Sequence, residues 1–217
     1  MAARRALVVV AVVAALFYLA APAVHDRFLH VVAKPIPALA LAAIVRSARN
    51  DGFSGAIAVG LALSAIGDAL LEVPGHFVAG LATFLCAHVV YTVAFLLDER
   101  RWRWERAVPF AIWLLAAFAY VRPGLGEMTV PVVVYMLAIG GMMWRAAARW
   151  GDHPGATAAL VGAVLFGLSD TLIAIDRFRA PLPGVASLAI ILLYWAGQAG
   201  IAASARPDAA SYPSRDG

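Results

Sequence analysis

From Phe53 to Leu71 the chain reads FSGAIAVGLALSAIGDALL, free of charge until Asp68 near its end. The run lacks the strict alternation of a strand, and it has the length of a helix that crosses a bilayer, for which about 20 apolar residues are needed. Asp68 is out of place in it. An ionised carboxylate costs at least about 2.5–3.5 kcal/mol near the centre of a membrane helix, so such a residue faces an internal cavity and tends to be functional.

Working outward, seven more apolar runs are bounded by charge, Pro or Gly. The full set is Ala6–Ala23, Val31–Val45, Phe53–Leu71, Phe77–Leu97, Ala107–Val121, Thr129–Ala146, Ala156–Ile175 and Val185–Ala203. The second and fifth are short for an upright crossing, so interfacial residues extend them or the bilayer thins around them. With 217 residues, 63% apolar and 14% charged, the composition is far from the half and quarter of soluble domains. The predicted fold is an all-α membrane protein, an eight-helix transmembrane bundle forming one domain over residues 1–203. The tail 204–217 is predicted to be disordered and cytoplasmic. Almost nothing remains for a separate water-soluble domain, which excludes a soluble enzyme on an anchor. The single cysteine, Cys86, lies inside an apolar run and can form neither an internal disulfide nor a thiolate cluster.

The net charge of +4 comes from 17 Lys and Arg, which in this setting report topology rather than nucleic-acid binding. With the N-terminus inside, twelve fall on the inner side: Arg4, Arg5, Arg46, Arg49, Arg100, Arg101, Arg103, Arg106, Arg145, Arg149, Arg206 and Arg215. Arg27, Lys34, Arg122, Arg177 and Arg179 fall outside. The excess predicts a multi-pass protein of an inner or cell membrane with both termini cytoplasmic. Arg4-Arg5 and the small residues around Ala21-Pro22-Ala23 also fit a signal peptide, but the apolar run exceeds a usual signal core and is read as a retained helix.

Eleven of the 13 acidic residues lie in loops, tails or at span ends, Glu72 among them; Asp68 and Asp170 do not. Their surroundings repeat. At an offset of 102, Val59-Gly60 aligns with Val161-Gly162, Leu63 with Leu165 and Gly67-Asp68-Ala69-Leu70-Leu71 with Ser169-Asp170-Thr171-Leu172-Ile173. The third and seventh spans would then be equivalent, as in a 4+4 parallel repeat that sets both carboxyls at one depth toward the outer face. The alternative is chance likeness between Ala-, Leu- and Gly-rich helices. Interhelical hydrogen bonding is the alternative role for the two acids.

Phe84, His88, Tyr91 and Phe95 share one face of the fourth span. His88 is the imidazole well inside a span and can shuttle a proton or bond a carbonyl. Tyr194 and Gln198 lie one turn apart in the eighth. Lys34, before Pro35, opens the second span near the depth of the acids, to snorkel, pair with one of them or hold a phosphate. Ser169 serves as a hydrogen-bond partner or small packing residue. No paired-histidine helix or Gly-x-Ser-x-Gly occurs, so neither a metal, a cofactor nor a serine nucleophile is expected.

Lys34-Pro35-Ile36-Pro37, Gly67-Asp68, Phe77…Gly80…Phe84…His88…Tyr91, Pro131…Tyr135…Met143, Gly162-Ala163…Phe166…Ser169-Asp170 and Tyr194…Gln198, in this order, resemble the YhhN family of membrane proteins, which includes the eukaryotic lysoplasmalogenases. The resemblance runs from the second span through the eighth. It implies eight helices and hydrolysis of the vinyl ether bond of lysoplasmalogens. That chemistry protonates the alkenyl carbon, adds water to the oxocarbenium ion and collapses a hemiacetal to an aldehyde. Asp68 and Asp170 are expected to act as acid and base, as paired carboxyls do in glycosidases. His88 or Tyr91 would relay protons or orient water, Lys34 would hold the lipid phosphate, and Ser169, Tyr194 and Gln198 would line the substrate. The expected partners are a lysolipid and the bilayer, with no nucleic acid. A proton- or ion-coupled transporter using the same pair is the rival reading, and a noncatalytic scaffold a third.

Overall fold

Asp51 Oδ1 accepts the Ser54 amide at 2.8 Å, and Ser54 Oγ accepts the Asp51 amide at 3.3 Å. This capping box starts helix α4 (Gly52–Glu72) and satisfies amides that a helix start leaves unpaired. The computed structural model describes residues 2–24, 27–48 and 50–205. Before α4 come α1 (Ala2–Val24), α2 (Arg27–Ala33) and α3 (Ile36–Ala48). After it come α5 (Phe77–Asp98), α6 (Val108–Val121), α7 (Thr129–Arg149), α8 (Ala156–Phe178) and α9 (Gly184–Ala203). Pro109 sits in the first turn of α6, where its missing N–H costs nothing.

Eight helical segments among the described residues are long and apolar enough to cross a membrane. The two short spans are extended. The fifth gains 3-10 turns on both sides of α6 and runs Trp104–Gly124. The second joins α2 and α3 over Phe28–Ala48. Lys34 therefore does not open that span: it sits in the break between the two helices, where Pro35 cannot donate a helical hydrogen bond. From Arg206 on, the expected tail lies outside the described residues, together with Arg49, Arg206 and Arg215. Ser204 and Ala205 are buried at the end of α9.

The pairing of helices follows the offset that aligns Asp68 with Asp170. The most extensive pairs are α4 on α5 and α8 on α9. Likewise α3 packs on α4 as α7 does on α8, α1 on α3 as α6 does on α7, and α5 reaches α7 as α9 reaches α3. The α8–α9 pair is a close backbone approach. A methyl group at Gly162 would fall 2.6 Å from Gly197 O. The main core joins Ile57, Leu61, Tyr91, Phe95, Met142 and Phe166 with their neighbours, while α1 and α6 present most of their apolar side chains outward.

At the end remote from Asp68, two buried arginines of α7 hold the segment after α5. Arg145 donates to Arg101 O at 2.9 Å and also to Glu99 O. Arg149 donates to Asp98 Oδ2 at 2.7 Å and stacks 4.6 Å above the Phe53 ring. These two are buried structural cations, not loop charges.

Candidate active site

Asp68, on the last turns of α4, is 1% exposed. Its Oδ2 accepts the Tyr194 hydroxyl of α9 at 2.6 Å. Asp170 on α8 accepts the Tyr135 hydroxyl of α7 at 2.5 Å, and His88 Nε2 of α5 lies 3.4 Å from the same oxygen. His88 Nε2 is also 2.9 Å from the Tyr135 oxygen. Because that hydroxyl directs its hydrogen at Asp170, its oxygen can accept from an Nε2–H tautomer of His88, which makes a chain His88 to Tyr135 to Asp170. The acid on α4 thus takes its donor from α9, and the acid on α8 has its imidazole neighbour on α5.

Both aspartates line one cavity of about 340 Å³. Lys34, Tyr135, Ser169 and Tyr194 line it with them. Apart from Tyr18, Thr171 and Ser187, the remaining wall is apolar, from Leu81 and Phe84 of α5 and Leu114 of α6 to Val132 of α7 and Ile173 and Phe178 of α8. Edge-on rings stand between the acids: Phe84 packs on Tyr194 at 5.8 Å, Phe166 on Tyr194 at 5.2 Å and His88 on Phe166 at 4.8 Å. Gly67 makes room for Phe84, whose ring would be 2.7 Å from any added Cβ.

The other expected site residues divide. Ser169 lines the cavity, yet its hydroxyl donates to Ile190 O at 2.9 Å and so ties α8 to α9. Tyr91 and Gln198 do not line it. They bond each other at 2.7 Å one helical turn further into the bundle. His88 stands behind Tyr135 rather than in the wall. Lys34 pairs with Glu72 at 2.7 Å, not with either aspartate. Sequence reasoning passed over Tyr135, Glu72 and Tyr18 as site residues. Glu72 carried a usable signal, its spacing of one turn from Asp68 on the same helix. Among the described residues no three His, Cys, Asp or Glu side chains gather as a metal would need.

This geometry can hold an apolar chain against two carboxyls that have different donors. The family model that matches is that of the YhhN family, over residues 29–205. The chain belongs to the YhhN family. Bovine (Bos taurus) lysoplasmalogenase TMEM86A is 40% identical over 69% of the chain and 64% of its own length. Human (Homo sapiens) lysoplasmalogenase TMEM86B is 34% identical over 79% of the chain and 73% of its own length. A lysoplasmalogenase of Mycobacterium bovis is 37% identical over 54% of the chain and 48% of its own length. The chain thus spans about two thirds of the bovine relative and half of the mycobacterial one. No solved structure matches it. The family match begins after α1, so the YhhN region contains both aspartates, His88, Tyr135 and Lys34, while Tyr18 lies outside it.

Proposed function

We propose that this YhhN protein is a membrane hydrolase that cleaves the vinyl ether bond of lysoplasmalogen-type lysolipids by carboxyl acid–base catalysis. The observation that carries the reading is that Asp68 and Asp170, from different helices, line one largely apolar cavity. The names of the relatives agree with it. Glycoside hydrolysis, which passes through a similar oxocarbenium ion, also uses two carboxyls in unequal surroundings.

The surroundings favour one division of roles. Tyr135 donates to Asp170 and His88 stands beside it, an arrangement that suits the carboxylate. Asp68 accepts one hydrogen bond, from Tyr194, and is the acid. The nearby Lys34 has its charge matched by Glu72. In the reaction Asp68 delivers its proton to the alkenyl carbon that becomes C2 of the aldehyde. Asp170 steadies the oxocarbenium ion, then takes a proton from the attacking water. Collapse of the hemiacetal returns its hydroxyl proton to Asp68, and the proton on Asp170 passes to the departing glycerol oxygen. The products are a fatty aldehyde and a glycerophospho headgroup, and both carboxyls are restored. Tyr135 positions Asp170, and the apolar wall takes the alkenyl tail.

With both termini cytoplasmic, as the distribution of Lys and Arg favours, the carboxyls lie toward the outer leaflet of the cell membrane. The test is detergent-purified protein incubated in parallel with alkenyl and acyl lysolipids. Aldehyde from the first without fatty acid from the second is expected. Fatty acid release alone, or substrate flux in vesicles without product, would overturn the reading.

A further inference from the structure

Lys34 is the one lysine among the 17 Lys and Arg residues of the chain. It sits in the break before Pro35, its side chain is 14% exposed, and it lines the cavity that holds Asp68 and Asp170. Its Nζ is 2.7 Å from Glu72 Oε1. The Tyr18 hydroxyl of α1 donates to the same oxygen at 3.3 Å, and His30 Nδ1 of α2 is 3.9 Å from the other. Glu72 is one turn beyond Asp68 on α4, about 6 Å along the helix axis, which places the amine close to the acid. All the other Lys and Arg positions carry a guanidinium, the group that suits a plain buried ion pair. A primary amine does something a guanidinium does not: it forms imines with carbonyl compounds. The acid–base chemistry releases a fatty aldehyde into this cavity and leaves the amine unused.

We propose that Lys34 is a reversible covalent capture site for the fatty aldehyde product, an inference that rests on the hydrolase reading for the source of the aldehyde. Glu72 takes a proton from the Lys34 ammonium, and the freed amine adds to the aldehyde carbon. A proton passes from that nitrogen to the former carbonyl oxygen, giving a carbinolamine. Glu72 then returns its proton to the carbinolamine hydroxyl, which leaves as water while the nitrogen lone pair closes the C=N bond. Ammonium and aldehyde have become iminium and water, with no oxidant or reductant consumed. The new cation needs a counter-ion in so apolar a cavity, and Glu72, held by Tyr18, is already in place. The alkyl chain stays against the apolar wall. Water reverses each step and frees the aldehyde.

The experiment traps the imine rather than measuring turnover. The purified full chain is incubated with hexadecanal and cyanoborohydride, which reduces an iminium ion to a stable secondary amine, and the adduct is located by peptide mass mapping. One alkyl group on Lys34 is expected, formed at least about tenfold faster than on Nα-acetyl-lysine amide in the same micelles, because the cavity holds chain and amine together. A saturated alkyl lysolipid, which has no double bond to protonate, should slow labelling of Lys34 and leave that of the free lysine unchanged. Absence of a Lys34 adduct, labelling no faster than that of the free lysine, or labelling that the lysolipid fails to slow would overturn the capture site. Alkenyl lysolipid in place of hexadecanal separates this claim from the hydrolase reading. Labelling by both supports the two together, whereas labelling by added aldehyde alone would uphold the capture site and count against hydrolysis.

Discussion

The Tyr135 hydroxyl donates to Asp170 Oδ2 at 2.5 Å, so α7 fixes a carboxylate carried by α8. The hydroxyl is itself backed by His88 from α5. Three helices therefore set the orientation of one oxygen at the cavity wall.

Tyr135→Phe should leave substrate binding intact and slow the chemistry. Removing the donor frees the Asp170 rotamer and strips it of a hydrogen bond to the charged form, so kcat is expected to fall about 10- to 100-fold with KM within about twofold. Single-turnover kinetics separate the chemical step from binding, and an unchanged kcat would reduce Tyr135 to packing.

Gly67→Ala tests the floor of the cavity. The new methyl group would meet the Phe84 ring at 2.7 Å, and Phe84 in turn packs on Tyr194, the donor to Asp68. Displacing the ring should cost about 1–3 kcal/mol, as overpacking usually does. It should also lower kcat/KM by disturbing Tyr194. A melting curve in detergent and a parallel rate measurement check both, and an alanine variant with native stability would contradict the packing account.

The acid pair was legible in sequence because charge in an apolar helix has few explanations. Tyr135 was not, since a tyrosine in a membrane helix resembles any packed aromatic until its hydroxyl is seen to reach a carboxylate. Glu72 read as an interfacial charge because it ends its helix. Tyr91 and Gln198 looked like site residues for a sound reason, that polar groups in lipid need partners, but Tyr91 donates to Gln198 Oε1 away from the cavity wall. The break at Lys34 was hidden because charge at Arg27 and His30 masked the helical turns before Pro35.

Glu99, just beyond the spanning part of α5, gives a pH-dependent contribution to stability. Hydrogen bonds from the Arg101 guanidinium and amide, joined by His153, hold its carboxyl down at about 2. An unfolded glutamate titrates near 4.3, so this contribution is complete above about pH 4.3 and is lost as pH falls toward about 2. Between those limits the melting temperature of the native protein should fall more steeply than that of Glu99→Gln. Parallel curves for the two proteins would show that the contact does no thermodynamic work.

The central claim is that Asp68 and Asp170 act as one unit on one substrate in one cavity, and a double-substitution cycle tests it most directly. Asp68→Asn and Asp170→Asn should each lower the rate of aldehyde release about 10²–10⁴-fold with melting curves retained, and the double variant should be hardly slower than the worse single. If either single variant kept near-native turnover, or if the two losses multiplied as independent effects do, the shared acid–base account would be wrong.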